Sequence, residues 1–317
     1  MKNIIFSFFL ISLLICCENL ETVVDLEIPE HEAKLVVNSS LNSDTSIHVL
    51  VSHTVGAFEN NLPVSVNDAY VLLFENDIFI DSLVVDLSDP RYFNYFDNGR
   101  NFSDSILLYY YKSDIIPKIS TKYSLKVKHP VYSEVNASTF LPNDVDLFGV
   151  QIDTISSDEK LNLKFSFNDN PFVDNFYGLN IYGNCSKEFE GMEYDFEGEI
   201  YFYSNDPSFP TDIPFDGYTF QGSEVLFSDA LFNGLEKKID LDVFEDDYIS
   251  ISDCDTIFLE FSVFSDEAYE YYNSVDQFRE NGSSGVFGGE VVPVYSNVEN
   301  GEGVLISVNT QKVYIIY

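Results

Sequence analysis

Basic residues are scarce in this chain. Sixteen Lys and Arg face 53 Asp and Glu, for a formal net charge of -37. A surface of that sign repels phosphate, which argues against nucleic-acid binding and against adhesion to anionic lipid through basic patches. Its plain role is to keep an exported protein soluble. Long apolar runs are missing too. The greasiest stretch, Ile4 to Ile15, is about a dozen residues broken only by Ser7 and Ser12, whereas a spanning helix needs about 20. Catalytic signatures are also absent: there is no Gly-x-Ser-x-Gly elbow, His-Glu-x-x-His, P-loop or dinucleotide fingerprint. Gly282-Ser283-Ser284-Gly285 has the wrong spacing for an elbow and reads as a loop. The histidines are scattered, and His48 and His53, an odd number of residues apart, cannot share one strand face. Acids are so abundant that no glycosidase-type pair stands out. The chain therefore reads as a non-enzyme, with a hydrolase using an unrecognised carboxylate site kept as an alternative.

The N-terminus carries the clearest signal. Lys2, the apolar run and an abrupt change to Glu18-Asn19-Leu20-Glu21 make residues 1–17 a signal peptide. The run ends in Leu14-Ile15-Cys16-Cys17, which resembles a bacterial lipobox. Cys17 is the preferred lipidation site, because a small side chain just before the cut suits the peptidase; Cys16 is the alternative. Several acyl chains anchor firmly where one is marginal. Residues 18–32, acidic and containing Pro29, suit a tether. The other cysteines, Cys185 and Cys254, are either a disulfide, which export permits, or two buried thiols.

The remainder reads as strands. Hydrophobic residues make up 45% and aromatics 16%, all Phe and Tyr, which suits pleated half-buried surfaces and a sizeable core. Period-two alternation marks Ile47 to Val51, Tyr123 to Val127, Val135 to Leu141, Leu161 to Phe167 and Ile257 to Val263. A hairpin is expected over Asp68 to Asp81, turning at Glu75-Asn76-Asp77. The C-terminus is expected to be two strands, Val304 to Val308 and Val313 to Tyr317, separated by a turn near Asn309-Thr310. One helix is expected from Asp266 to Glu280, capped by Ser265. Pro142-Asn143-Asp144 suggests a boundary between a sandwich at 33–142 and a second β-rich domain with one short helix at 143–317. Two stretches are loop-rich and aromatic, residues 88–111 and 186–230. In the second, Tyr201-Phe202-Tyr203 suits a strand, while Phe209, Phe215 and Tyr218, set among Pro210, Pro214 and Gly217, are expected to be an exposed recognition surface. No cofactor is indicated. Calcium is the one ion with candidate ligands, Asp169 and Asp174 among clustered hard oxygens, although turn chemistry explains those residues equally well.

The order of several segments resembles a family of Bacteroidota lipoproteins known only as a domain of unknown function. These segments are Cys17-Glu18, Val24-Asp25-Leu26-Glu27-Ile28-Pro29, Lys34-Leu35-Val36-Val37-Asn38, Ala137-Ser138-Thr139-Phe140-Leu141-Pro142, Phe227-Ser228-Asp229 with Phe232-Asn233-Gly234, and Asn300-Gly301-Glu302-Gly303. The resemblance implies an immunoglobulin-like first domain, an outer-membrane location and no assigned catalytic residue. Genes of such proteins commonly neighbour TonB-dependent transporters, which implies an accessory role in binding a transporter or its cargo. The exposed aromatic loops make a surface glycan-binding module the alternative. Mass spectrometry of the mature N-terminus should find an acylated Cys17; an intact Met1 or an unmodified terminus would remove the lipid anchor.

Overall fold

The computed structural model describes residues 31–56, 62, 64–97, 102–155, 160–189, 192–211, 217–244, 254–282 and 292–315. Ala33 to Tyr317 form one compact unit, distinct from Met1 to Glu32. Among the described residues the unit is all-β with one helix.

The N-terminal part is a sandwich built from β1 (Leu35–Leu41), β2 (Ile47–His53), β3 (Tyr70–Glu75), β4 (Ile78–Val85), β7 (Tyr110–Ser113), β8 (Thr121–Lys128) and β9 (Val135–Leu141). One layer runs β1-β2-β7 and the other β4-β3-β8-β9, with the end of β4 crossing to pair with β7. This is the strand order of an immunoglobulin-like sandwich. The reason lies in the alternation. In β8, Thr121, Tyr123, Leu125 and Val127 point inward and are buried, while Lys122 and Lys128 are exposed. The β3–β4 turn has two residues, Asn76 and Asp77, with φ of 49° and 65°, the left-handed pair that a twisted hairpin demands. Tyr123 Oη accepts the N–H of Lys118 at 2.9 Å and donates to Glu75 at 3.1 Å. A tyrosine thus closes the corner before β8, as one does in immunoglobulin-like domains. Between β4 and β7, β5 (Arg91–Asp97) and β6 (Phe102–Leu108) form a separate two-stranded ribbon with Tyr92 and Phe93 exposed.

A second sandwich follows. One sheet is β10 (Phe148–Ile155), β11 (Lys160–Asn168), β17 (Glu236–Phe244), β14 (Phe202–Ser204) and β15 (Phe220–Gly222). The other holds β13 (Met192–Glu199), β12 (Phe176–Phe189), β18 (Cys254–Phe264) and β19 (Glu302–Ile315), with β16 (Glu224–Ser228) also paired to β12. Leu161, Leu163, Phe165 and Phe167 of β11 face Tyr177, Leu179, Ile181, Leu259 and Phe261 across the core. Burying each such side chain is worth about 1.5–3 kcal/mol.

The boundary at Pro142-Asn143-Asp144 separates the two hydrophobic clusters along the chain, but β19 joins them. Glu302 to Ser307 pair in parallel with Val36 to Leu41 of the first sandwich. Val308 to Ile315 pair with Phe264 to Ile257 of the second. The expected turn near Asn309-Thr310 is not there; the strand is continuous. Its polar residues are satisfied sideways. Asn309 is buried, donates to Asp144 at 2.8 Å and accepts from Ser43 at 2.8 Å, and Thr310 bonds Ser262 at 2.7 Å.

The helix α1 (Asp266–Gly282) follows β18. Ser265 caps it by accepting the N–H of Ala268 at 3.1 Å, with Asp266 and Glu267 in the first turn. Ala268 packs on Val304 and Ile306, so β19 is covered on the side away from Leu305, which enters the first core. Thr139, Ser265 and Ser307 form a buried hydroxyl cluster here, with Thr139 3.0 Å from both Ser307 and Glu267.

Gly303 sits where β1 and β19 meet, at φ 105°, and a Cβ there would lie 2.2 Å from the Val37 carbonyl oxygen. Gly303→Ala should therefore lower stability by at least about 2 kcal/mol, through a disfavoured backbone conformation and a clash with main chain. Urea denaturation should show the drop.

Candidate functional site

The alternation of β11 and β17 places Asn162, Lys164, Asp240 and Asp242 on the outer face of the five-stranded sheet. Asn162 Nδ2 donates to both Asp240 and Asp242 at 2.7 Å. Lys164 holds the other oxygen of Asp240 at 3.1 Å, and Tyr218 donates to the other oxygen of Asp242. Tyr203, opposite Asp242 on β14, packs against Tyr218 with ring centroids 5.4 Å apart. Together with Ser204, Asp206 and Lys238 these residues line an open groove of about 370 Å³. Its polar groups are locked to one another, so the floor is ordered before any ligand arrives. Chemically it offers carboxylates and an amide beside two aromatic rings, which suits hydrogen-bonding ligands with an apolar face. Both carboxylates serve the same amide nitrogen from one wall, unlike the two acids that flank a glycosidic bond in a glycosidase.

Of the expected recognition residues, Tyr218 is half-buried in this groove. Phe209 is not exposed. It is 4% accessible and packs on Phe220 and Phe227, with centroids 5.4 and 5.0 Å away. Its N–H bonds the Asp206 carbonyl at 3.2 Å, and Asp206 is itself held by buried Lys237. Phe215 lies outside the described residues, as do Cys16 and Cys17. Cys185 and Cys254 are directly opposed on β12 and β18 and joined as a disulfide.

The candidate calcium ligands do not form an oxygen cluster. Asp169 faces inward, accepting from Tyr177 Oη at 2.6 Å and from the Gly234 N–H at 2.6 Å, while Asp174 faces solvent. Among the described residues, no three His, Cys, Asp or Glu side chains converge as a metal ion requires. Burial, and then Asp229 nearby, raise the pKa of Asp169, and burial with Asp169 raises that of Tyr177. Asp229 is buried too and accepts the N–H of Asn175 at 2.8 Å. The two acids thus pin the loop before β12 to the loop after β16. The joined loops expose Phe172, Val173, Leu231 and Leu235, with Phe172 90% accessible.

Of the groove the sequence points only to Tyr218, and it does not point to the loop tip. The groove had a legible signal, since Asn162 and Lys164 alternate with the inward Leu161, Leu163 and Phe165, and Asp240 and Asp242 with Ile239, Leu241 and Val243. For the tip, only two apolar residues directly after Asn170-Pro171 hinted at exposure.

Fold and site define a class: an all-β protein of two sandwiches spliced by a shared strand, with a polar, aromatic groove on one outer sheet. Residues 21–313 match the model of a single family, so the chain belongs to Domain of unknown function (DUF4249). No curated protein matches it.

Asp169 has a testable signature. A carboxyl whose pKa is higher folded than unfolded makes the native state bind the extra proton, so its contribution to stability is greatest at low pH and declines as pH rises through the raised value. Asp169→Asn should flatten that decline. It should also cost about 1–3 kcal/mol, because one amide cannot accept from both Tyr177 and Gly234. Denaturation midpoints measured as pH rises from the ordinary carboxylate range of about 4 would show both effects.

Proposed function

We propose that this chain is a non-enzymatic lipoprotein of the outer membrane, held by acyl chains on Cys17, that binds a TonB-dependent transporter or its cargo. The observation that carries the reading is the pre-ordered groove of Asn162, Tyr203, Tyr218, Asp240 and Asp242. A surface whose polar side chains already hold one another loses little freedom on binding. Asn162, Tyr203, Asp240 and Asp242 stand on strands, which position recognition groups more rigidly than loops do, and Tyr218 lies just before β15. The signal segment and the lipobox-like Leu14-Ile15-Cys16-Cys17 support the anchored location. The acid surplus favours a neutral or basic partner.

A second reading, a surface glycan-binding module, is favoured by the Tyr203–Tyr218 pair beside two carboxylates and an amide. Aromatic faces suit the apolar face of a sugar, and carboxylates accept from its hydroxyls.

The two readings separate experimentally. Cross-linking in intact membranes followed by detergent co-purification should recover a TonB-dependent transporter with the protein; recovery of the protein alone would reject the accessory role. A glycan array should stay silent under that role. Binding on the array that falls at least about tenfold (roughly 1.4 kcal/mol) in Tyr218→Ala would instead establish the glycan reading.

A further inference from the structure

The tip formed by residues 170–175 and 230–235 departs from the rest of the chain in three ways. It exposes Phe172, Val173, Leu231 and Leu235 side by side, with Pro171 against Gly234. It carries one ionised group, Asp174, in a chain whose net charge is -37. Part of its backbone is also bonded within the tip. The N–H of Asp169 bonds the Leu235 carbonyl, that of Asp229 the Asn175 carbonyl, that of Phe232 the Asp229 carbonyl and that of Leu235 the Phe232 carbonyl. The N–H of Phe172 bonds the Asn170 side chain, those of Gly234 and Asn175 bond the carboxylates of Asp169 and Asp229, and the Asn175 amide takes the Asn170 and Val173 carbonyls.

Each backbone group bonded within the tip lowers the cost of leaving water for hydrocarbon, where an unpaired polar group costs several kcal/mol. The tip carries no Tyr, Trp or Arg, the residues that most often anchor a protein interface.

Strand direction gives the tip an orientation. β1 and β19 are parallel, β19 and β18 antiparallel, β18 and β12 antiparallel, so β12 runs in the same sense as β1. The loop preceding β12 therefore projects toward the end of the unit at which the chain enters β1. Phe176 pairs with Phe264, which pairs with Val308, six residues along β19 from Glu302, the partner of Val36. That places the tip on the order of 20 Å from the start of β1 along the strands. The fifteen residues of the tether, 18–32, reach at most about 50 Å.

We infer that this tip inserts into the surface of the lipid bilayer to which the chain is anchored, as a second, non-covalent contact that fixes how the sandwiches face the membrane. The inference rests on the lipid anchor proposed above, and the test keeps the two apart. The chain contains no tryptophan, so Phe172→Trp creates a single tryptophan, excited selectively over the tyrosines, at a site already 90% exposed. The full lipidated protein carrying this change would be reconstituted into phosphatidylethanolamine–phosphatidylglycerol vesicles. Its emission should shift to shorter wavelength and be quenched by lipids brominated on their acyl chains. Adding Leu231→Asp and Leu235→Asp should abolish both effects while the protein still floats with the vesicles. Solvent-like, unquenched emission in protein that floats would overturn the tip and spare the anchor. Failure to float would overturn both. A blue shift without lipid quenching would mean that protein, not lipid, covers the tip, and would overturn the inference as well.

Discussion

The parallel pairing of β1 with the first half of β19 is the constraint on which the rest depends. A strand of 14 residues, Glu302–Ile315, supplies an edge to one sandwich and a second sheet with its last β-strand. Neither core closes without it: Leu305 belongs to the first and Ile315 to the second. The chain must therefore hold its first strand available until its last one is made. Parallel strands so distant in sequence are costly to bring together, and they form only because both cores are covered when they do. The join is tightly specified. Gly303 lets the backbones of β19 and β1 meet, and α1 seals the far face through Ala268.

Polar residues make that join directional. Thr139, Ser265 and Ser307 come from β9, the helix cap and β19, and each hydroxyl has partners in the others. Asn309 ties Ser43 of the first sandwich to Asp144 of the connection. A purely apolar seam would let the strand slide by two residues without changing which face is buried. Buried hydrogen bonds that are satisfied in one register only remove that freedom. The same device recurs at the loop tip, where Asp169 and Asp229 are buried in order to hold two loops, and where desolvation is offset by Tyr177 and backbone N–H donors.

Charge divides the molecule by function. The acid surplus lies on the solvated faces, where it resists association. In the groove the acids are tied to Asn162, Lys164 and Tyr218, and at the loop tip Asp169 and Asp229 are buried while Asp174 alone faces solvent. At both places the repulsion between acids is reduced by local bonds or burial.

How much of this could be read in advance follows from the range of each interaction. Strand identity was legible because side-chain alternation is local: Leu161 to Phe167 and Tyr123 to Val127 declare a buried face by themselves, and so did the helix after Ser265, whose cap and first turn are neighbours in sequence. The outer-face positions of Asn162 and Lys164 were legible for the same reason. Asn309 and Thr310 looked like a turn because their partners, Ser43, Asp144 and Ser262, are 48 to 266 residues away. Phe209 looked exposed because its prolines are local and the rings that bury it are not. The meeting of Asn162 with Asp240 and Asp242, the splice made by β19 and the pairing of the two loops behind Phe172 were decided only in three dimensions, since the free energy of each depends on which distant strands become neighbours, and pattern along a chain carries no record of that.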